Sequence, residues 1–184
     1  MMLETNRLIL RQWRDDDYPI YKKLVSDPDV MKYFPAMLSE QECYSQIERL
    51  KNIIAVRGWG SWAVELKYSG EFIGFVGLHE QDAQSGIPHA PLIEIGWRLL
   101  SQYWGEGYAT EAAKRALKFS FDELQLSEVY SYTTLANKQS QKVMIRIGMK
   151  KTGEEFIHPS FEKRRDLERH TLYRITREQW IKIN

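Results

Sequence analysis

Gly105 and Gly107 stand two apart in the run Gln102-Tyr-Trp-Gly-Glu-Gly-Tyr-Ala-Thr-Glu111, and their surroundings could hold an anion. Residues 92–100, before them, read as a strand. After them Ala109, Ala112, Ala113, Ala116, Leu117, Ser120 and Leu124 follow the i, i+3, i+4, i+7 spacing of a helix packed on one face. A glycine-bearing turn therefore joins a strand to a helix N-terminus. The first N–H groups of a helix lack intrahelical acceptors, and the helix dipole favours negative charge there. Glycine lets a bulky phosphate approach the main chain. Gln102, Gly105, Glu106, Gly107, Tyr108, Ala109 and Thr110 are thus the candidate cradle for a diphosphate.

Three phosphate-binding patterns compete for this turn. A P-loop needs a Lys followed by Ser or Thr after its second glycine, and none follows here, which argues against a nucleoside triphosphate with Mg²⁺. A dinucleotide fingerprint needs a third glycine where Thr110 stands and an acid ending the next strand. Glu128 instead precedes that strand, at 129–134. A dinucleotide-dependent oxidoreductase is accordingly a distant alternative. The third pattern, Gln/Arg-x-x-Gly-x-Gly/Ala, is met by Gln102, Gly105 and Gly107. On these residues the chain resembles the GNAT (Gcn5-related) N-acetyltransferases. The resemblance extends to Asn137-Lys-Gln-Ser140 with a short helix ending in Gly148, and to the hairpin-like runs 62–65 and 72–78. The end, from His158-Pro159 through residues 170–175, resembles the RimJ/RimL-like branch, which contains ribosomal-protein N-terminal acetyltransferases. The likeness runs from about Arg7 to the C-terminus.

The resemblance implies an acetyl-CoA-dependent N-acetyltransferase that passes the acetyl group directly to a primary amine. The acceptor would be a protein N-terminus, of the ribosomal-protein-alanine type, or a small-molecule amine. A non-catalytic acyl-CoA-binding sensor is the competing class. The implied fold is α+β (mixed α/β), a mixed, mostly antiparallel twisted sheet of about seven strands flanked by helices. That sheet is expected to splay between its fourth and fifth strands, residues 92–99 and 128–134, to admit the pantetheine arm. The backbone of Trp97, Arg98 and Leu99 is expected to pair with pantetheine, one amide polarising the thioester carbonyl, and Asn137 to bond the same arm.

Glu94 falls where many family members carry a catalytic glutamate, so it is the first choice of general base, directly or through water. Strand alternation sets it on the face opposite Ile95, Trp97 and Leu99. As a residue alone it is equally a strand-end carboxylate facing solvent or pairing with an arginine. His79 and Glu80 are reserve candidates. Ser140 matches the serine of RimL-like enzymes that faces the leaving thiolate, and it also suits the first turn of a helix. Met144 stands where many members carry a tyrosine, and a thioether donates no proton. That leaves Ser140 or no acid at all, and it is the best support for the sensor reading.

Several elements must position these groups. A first strand is expected at 7–13, and Asp15, Asp16 and Asp17 should open a short helix ending before Asp27-Pro28. Ser39 and Glu42 form a capping box for a helix stopped at Gly58. Strands are expected at 61–68 and 71–79, a helix at 139–147 with Gly148 after it, and strands at 150–157 and 167–175. Thr176 and Gln179 can cap a final helix.

At 184 residues, 43% hydrophobic and 28% charged, the chain is expected to be one soluble domain, 1–184. A net charge of +1 supplies no field toward nucleic acid or membrane, and the expected state is monomer or homodimer. The single cysteine, Cys43, excludes an intrachain disulfide and fits a reducing cytoplasm, as a buried thiol rather than a nucleophile. No metal-ligand spacing is present, so no metal is expected. Lys142 and Arg146 share a helix face, for coenzyme phosphate or for solvent. Arg57, Trp59 and Trp62 read either as an acceptor mouth or as core, and residues 162–166 as a solvated loop or the rim of the acceptor groove.

Overall fold

The computed structural model describes residues 2–184. Its strands are β1 (Leu3–Glu4), β2 (Leu8–Arg11), β3 (Ser61–Leu66), β4 (Phe72–Gln81), β5 (Leu92–Leu99), β6 (Glu128–Thr134), β7 (Lys150–Ile157) and β8 (Arg169–Thr176). Its helices are α1 (Tyr18–Ser26), α2 (Pro28–Met31), α3 (Glu40–Arg57), α4 (Tyr108–Asp122), α5 (Lys138–Arg146) and α6 (Arg177–Ile183). The strands hydrogen-bond in the order β1-β2-β3-β4-β5-β6-β8-β7. β1-β2, β2-β3, β3-β4, β6-β8 and β7-β8 are antiparallel, while β5 and β6 run parallel. A parallel pair needs a long crossover, and the segment containing α4 supplies it. The strand beyond the seven expected is the two-residue β1, so the expected fourth and fifth strands are β5 and β6. Their pairing is registered at one pair alone, Glu94 opposite Tyr130.

The residues sort into two compact units. One holds the chain through Lys32, Ala36–Leu78 and Gly96–Ala116; the other holds Tyr33–Pro35, His79–Ile95 and Leu117–Asn184. In the first, the alternation of β2 buries Leu8 and Leu10, and β3 buries Trp62 and Val64, each at 0% exposure. Trp62 is therefore core and not part of a mouth. Arg57 instead lies over the Trp59 ring, 3.7 Å from its centroid. The Ser39 box forms as its spacing dictates: Ser39 N donates to Glu42 Oε2 (2.7 Å) and Glu42 N to Ser39 Oγ (3.3 Å). Gly58 stops α3 at φ +82°.

The acids at 15–17 depart from expectation. They form a 3-10 turn ahead of α1, and the Asp17 carboxylate is buried against Arg11 through two bonds of 2.8 Å. Burying a charge is costly unless it is paired, and Arg11 also donates to Glu65 (2.6 Å). β4 and β5 approach closely at Gly74, where a Cβ would stand 2.3 Å from the Arg98 carbonyl oxygen.

In the second unit β8 pairs with β6 from Thr176 opposite Glu128 to His170 opposite Thr134. Val129, Leu172, Ile175, Ile147 and Met144 are buried there. Asn137 caps α5, and Gly148 follows it at φ +92°. Thr176 and Gln179 form the capping box of α6. Of the helical stripe read from the sequence, Ala112, Ala113, Ala116, Leu117 and Ser120 of α4 are at 0% exposure, while Ala109 and Leu124 are half-buried.

Candidate active site

In the first unit, residues Ser101–Tyr103 after β5 make one 3-10 turn, with Gln102 exposed. Gly105 and Gly107 then take φ +84° and +81°. That left-handed conformation costs other residues roughly 1–2 kcal/mol, so glycine is what lets the chain fold back here. A Cβ on Gly105 would meet nothing within 4 Å. Among the described residues the backbone N–H groups of residues 105–110 have no backbone acceptor, and the first bond of α4 runs from Glu111 N to Gly107 O (3.0 Å). Open room beside unspent donors at a helix N-terminus is what a diphosphate requires.

The preceding strand end contributes main chain. The Arg98 side chain turns toward Phe75, its guanidinium carbon 5.4 Å from the ring centroid. Burial pushes its pKa down to about 10, against the attraction of Tyr21. The Leu99 carbonyl accepts from the Trp104 indole (2.9 Å), which ties the turn to the strand and leaves one lone pair.

In the second unit Glu94 is half-buried, its side chain 20% exposed. Burial pushes its carboxyl up to about 7, although Tyr132 and Gln81 donate to it and oppose the rise. The two donors are themselves joined, Gln81 Nε2 to Tyr132 Oη at 2.9 Å. His79 Nδ1 lies 3.9 Å from Glu94 Oε1. Glu94 is thus half-buried and, among the described residues, paired with no arginine, and a carboxyl that titrates near neutrality can exchange protons at working pH. Glu80 is exposed.

Reasoning from sequence missed Tyr132 and Gln81. Tyr132 reaches Glu94 only because β6 lies beside β5, a register no local pattern encodes. Gln81 had a signal: alternation on β4 sets it on the same face as His79. Tyr132→Phe removes a bond to the ionised carboxylate, so Glu94 should hold its proton more tightly. We expect the acid limb of kcat/KM to move up by about one pH unit, with near-wild-type activity at high pH. Measured rates across the pH range check this, and an unmoved limb would show that the phenol does not act on the base.

A third group forms at the start of α5. Asn137 Oδ1 accepts from Ser140 N (3.2 Å), and Asn137 Nδ2 donates to Ser140 Oγ (3.1 Å). Among the described residues the Ser140 O–H donates to none, so its proton is unspent. Met144, 1% exposed, is part of the core. Lys142 and Arg146 are exposed on α5. Cys43 is 1% exposed, and burial raises its thiol, which disfavours the thiolate a nucleophile needs. Among the described residues no group of three or more His, Cys, Asp or Glu could hold a metal, and no helix is long and apolar enough to cross a membrane.

Known proteins share this architecture. The family described as Acetyltransferase (GNAT) domain matches residues 7–150. The Bacillus subtilis protein YkkB is 32% identical over 148 residues, 80% of this chain and 84% of its own. The FsC-acetyl coenzyme A-N(2)-transacetylase of Aspergillus fumigatus is 31% identical over 192 residues, 98% of this chain and 78% of its own. A GNAT-family acetyltransferase structure from Bacillus anthracis superposes with a TM-score of 0.79 at 27% identity, covering 97% of this chain and 99% of the other. With a family match over most of its length, the chain belongs to the GNAT acetyltransferases and is an acetyl-CoA-dependent N-acetyltransferase.

Proposed function

We propose that the chain acetylates the α-amino group of a peptide or protein N-terminus, with Glu94 as general base. The observation that carries this is the half-buried Glu94 carboxyl, poised at about 7 and held by Tyr132 and Gln81. At pH 8 an α-amine, with a pKa of about 7.7–8.0, is neutral in roughly half of its molecules and can attack, whereas a lysine-type amine near 10.4 is neutral in under about 1%; Glu94, ionised at that pH, then takes the proton that the nitrogen carries after attack. The RimJ/RimL-like end of the chain supports the same acceptor, and the lone buried Cys43 supports a reducing cytoplasm as its place of work.

Acetyl-CoA supplies the acetyl group as an activated thioester. The residues divide the remaining work. The main chain of Gly105, Glu106, Gly107, Tyr108, Ala109 and Thr110, beside Gln102, holds the diphosphate. The backbone of Trp97, Arg98 and Leu99 pairs with the pantetheine arm, and one of its amides donates to the thioester carbonyl, where negative charge develops. Asn137 bonds the same arm. Glu94 removes the amine proton, directly or through water. Ser140 offers its unspent O–H to the departing sulfur. A thiolate of pKa about 8.5 leaves with little assistance, so Met144 in place of a tyrosine does not disable the reaction.

A second reading, acetylation of a small-molecule amine, is favoured by the likeness to the Aspergillus fumigatus relative, an FsC-acetyl coenzyme A-N(2)-transacetylase. Acetyl-CoA-dependent thiol release, read with a thiol reagent, separates the two. We expect release with peptides beginning Ala, Ser or Met at kcat/KM well above that with polyamines or amino sugars. Release with small amines alone moves the function to metabolite modification. Coenzyme binding without release from any amine points to the sensor.

A further inference from the structure

Arg7, immediately before β2, lies against the first turn of α4. The Glu111 carboxylate in that turn accepts from Thr5 Oγ1 (2.6 Å), Arg7 N (2.9 Å) and Arg7 Nε (2.7 Å). These bonds fix the Arg7 backbone and one edge of its guanidinium. Tyr108 fixes the plane, with the guanidinium carbon 4.4 Å from its ring centroid. The free edge faces the glycine turn: Arg7 Nη2 stands 3.6 Å from where a Cβ on Gly107 would be. A guanidinium has five N–H donors, and Nε spends one. Among the described residues the four on Nη1 and Nη2 have no partner.

A tie between the N-terminal segment and α4 needs only the Nε bond and the Thr5 hydroxyl. It does not need a planar cation aimed along the helix N-terminus. A bare carboxylate in that turn would repel phosphate, and Arg7 offsets its charge while keeping a fork of donors for a second anion. We propose that Arg7 is a phosphate-binding residue, holding the diphosphate of the coenzyme from the side while the Gly105 and Gly107 main chain holds it from below; this rests on the reading of that turn as the coenzyme site.

Calorimetry with coenzyme A, dephospho-coenzyme A and pantetheine tests it on the full chain. Arg7→Gln should weaken coenzyme A and dephospho-coenzyme A alike, by about tenfold or more, with pantetheine affinity unchanged. Arg7→Lys, which keeps charge but loses the fork, should fall between. Equal losses for all three ligands with a lowered Tm would make Arg7 a structural tie and overturn the proposal. A loss confined to coenzyme A would assign Arg7 to the ribose phosphate and overturn it too. Gly107→Val separates the two ideas. If it weakens coenzyme A binding by about tenfold or more while Arg7→Gln is silent, Arg7 falls and the turn stands. If both are silent, the turn falls as well.

Discussion

Glu94→Gln should lower kcat by about 10²–10⁴-fold at pH 8 while leaving acetyl-CoA affinity unchanged. The amide keeps the shape and can still meet Tyr132 and Gln81, but it cannot take a proton from the amine. The same variant should be more stable than wild type at pH 8. Burial raises the folded carboxyl to about 7 from an unfolded value near 4.5. The folded protein therefore binds this proton more tightly than the unfolded chain. That contribution to stability is fully present below the unfolded value and is lost as pH rises through about 7. Ionised Glu94 then costs on the order of 3 kcal/mol at pH 8, which the neutral amide avoids. Thermal melts should show a higher Tm for Glu94→Gln at pH 8, with the gain gone at pH 4. A solvated strand-end carboxylate would give neither the turnover loss nor the pH-dependent gain.

Gly107→Val should raise the Kd for coenzyme A by about ten- to a hundredfold, with the acceptor's KM little changed at saturating coenzyme. A β-branched residue is a conformational outlier at φ +81°, so the turn must move to accept it. Its side chain would also stand beside Arg7. Both effects withdraw main-chain donors from the diphosphate. Calorimetry beside a thermal melt checks this, and normal affinity in a folded variant would remove the cradle from residues 105–110.

Much of this arrangement was legible because it is local. The Ser39 box, the stripe of α4 and the Thr176 box are each written in spacings of about four residues, where side chain and backbone must meet. The glycine turn was legible for the same reason. What escaped depends on partners distant in sequence. Asp17 read as a helix-opening acid, but Arg11 and Glu65 draw it into a buried ion network. β1 is two residues long and carries no periodicity. Glu94 was visible as a carboxylate; its proton affinity was not, since it is set first by burial and then by Tyr132, which lies on a parallel strand beyond the α4 crossover. Arg7 was read only as the start of a strand, because Glu111 and Tyr108, which aim it, lie about a hundred residues on.

The reaction turns on two protons. The amine must lose one, at a pKa of about 7.7–8.0, and Glu94 must have lost another, at about 7. The most direct measurement is log(kcat/KM) against pH with a peptide acceptor, for wild type and Glu94→Gln. Wild type should rise with a slope of about two below pH 7 and about one above it, levelling off above pH 8. Glu94→Gln should keep a slope of about one throughout the rise, set by the amine alone. A wild-type profile with a single slope of one, parallel to that of the variant, would contradict Glu94 as the base.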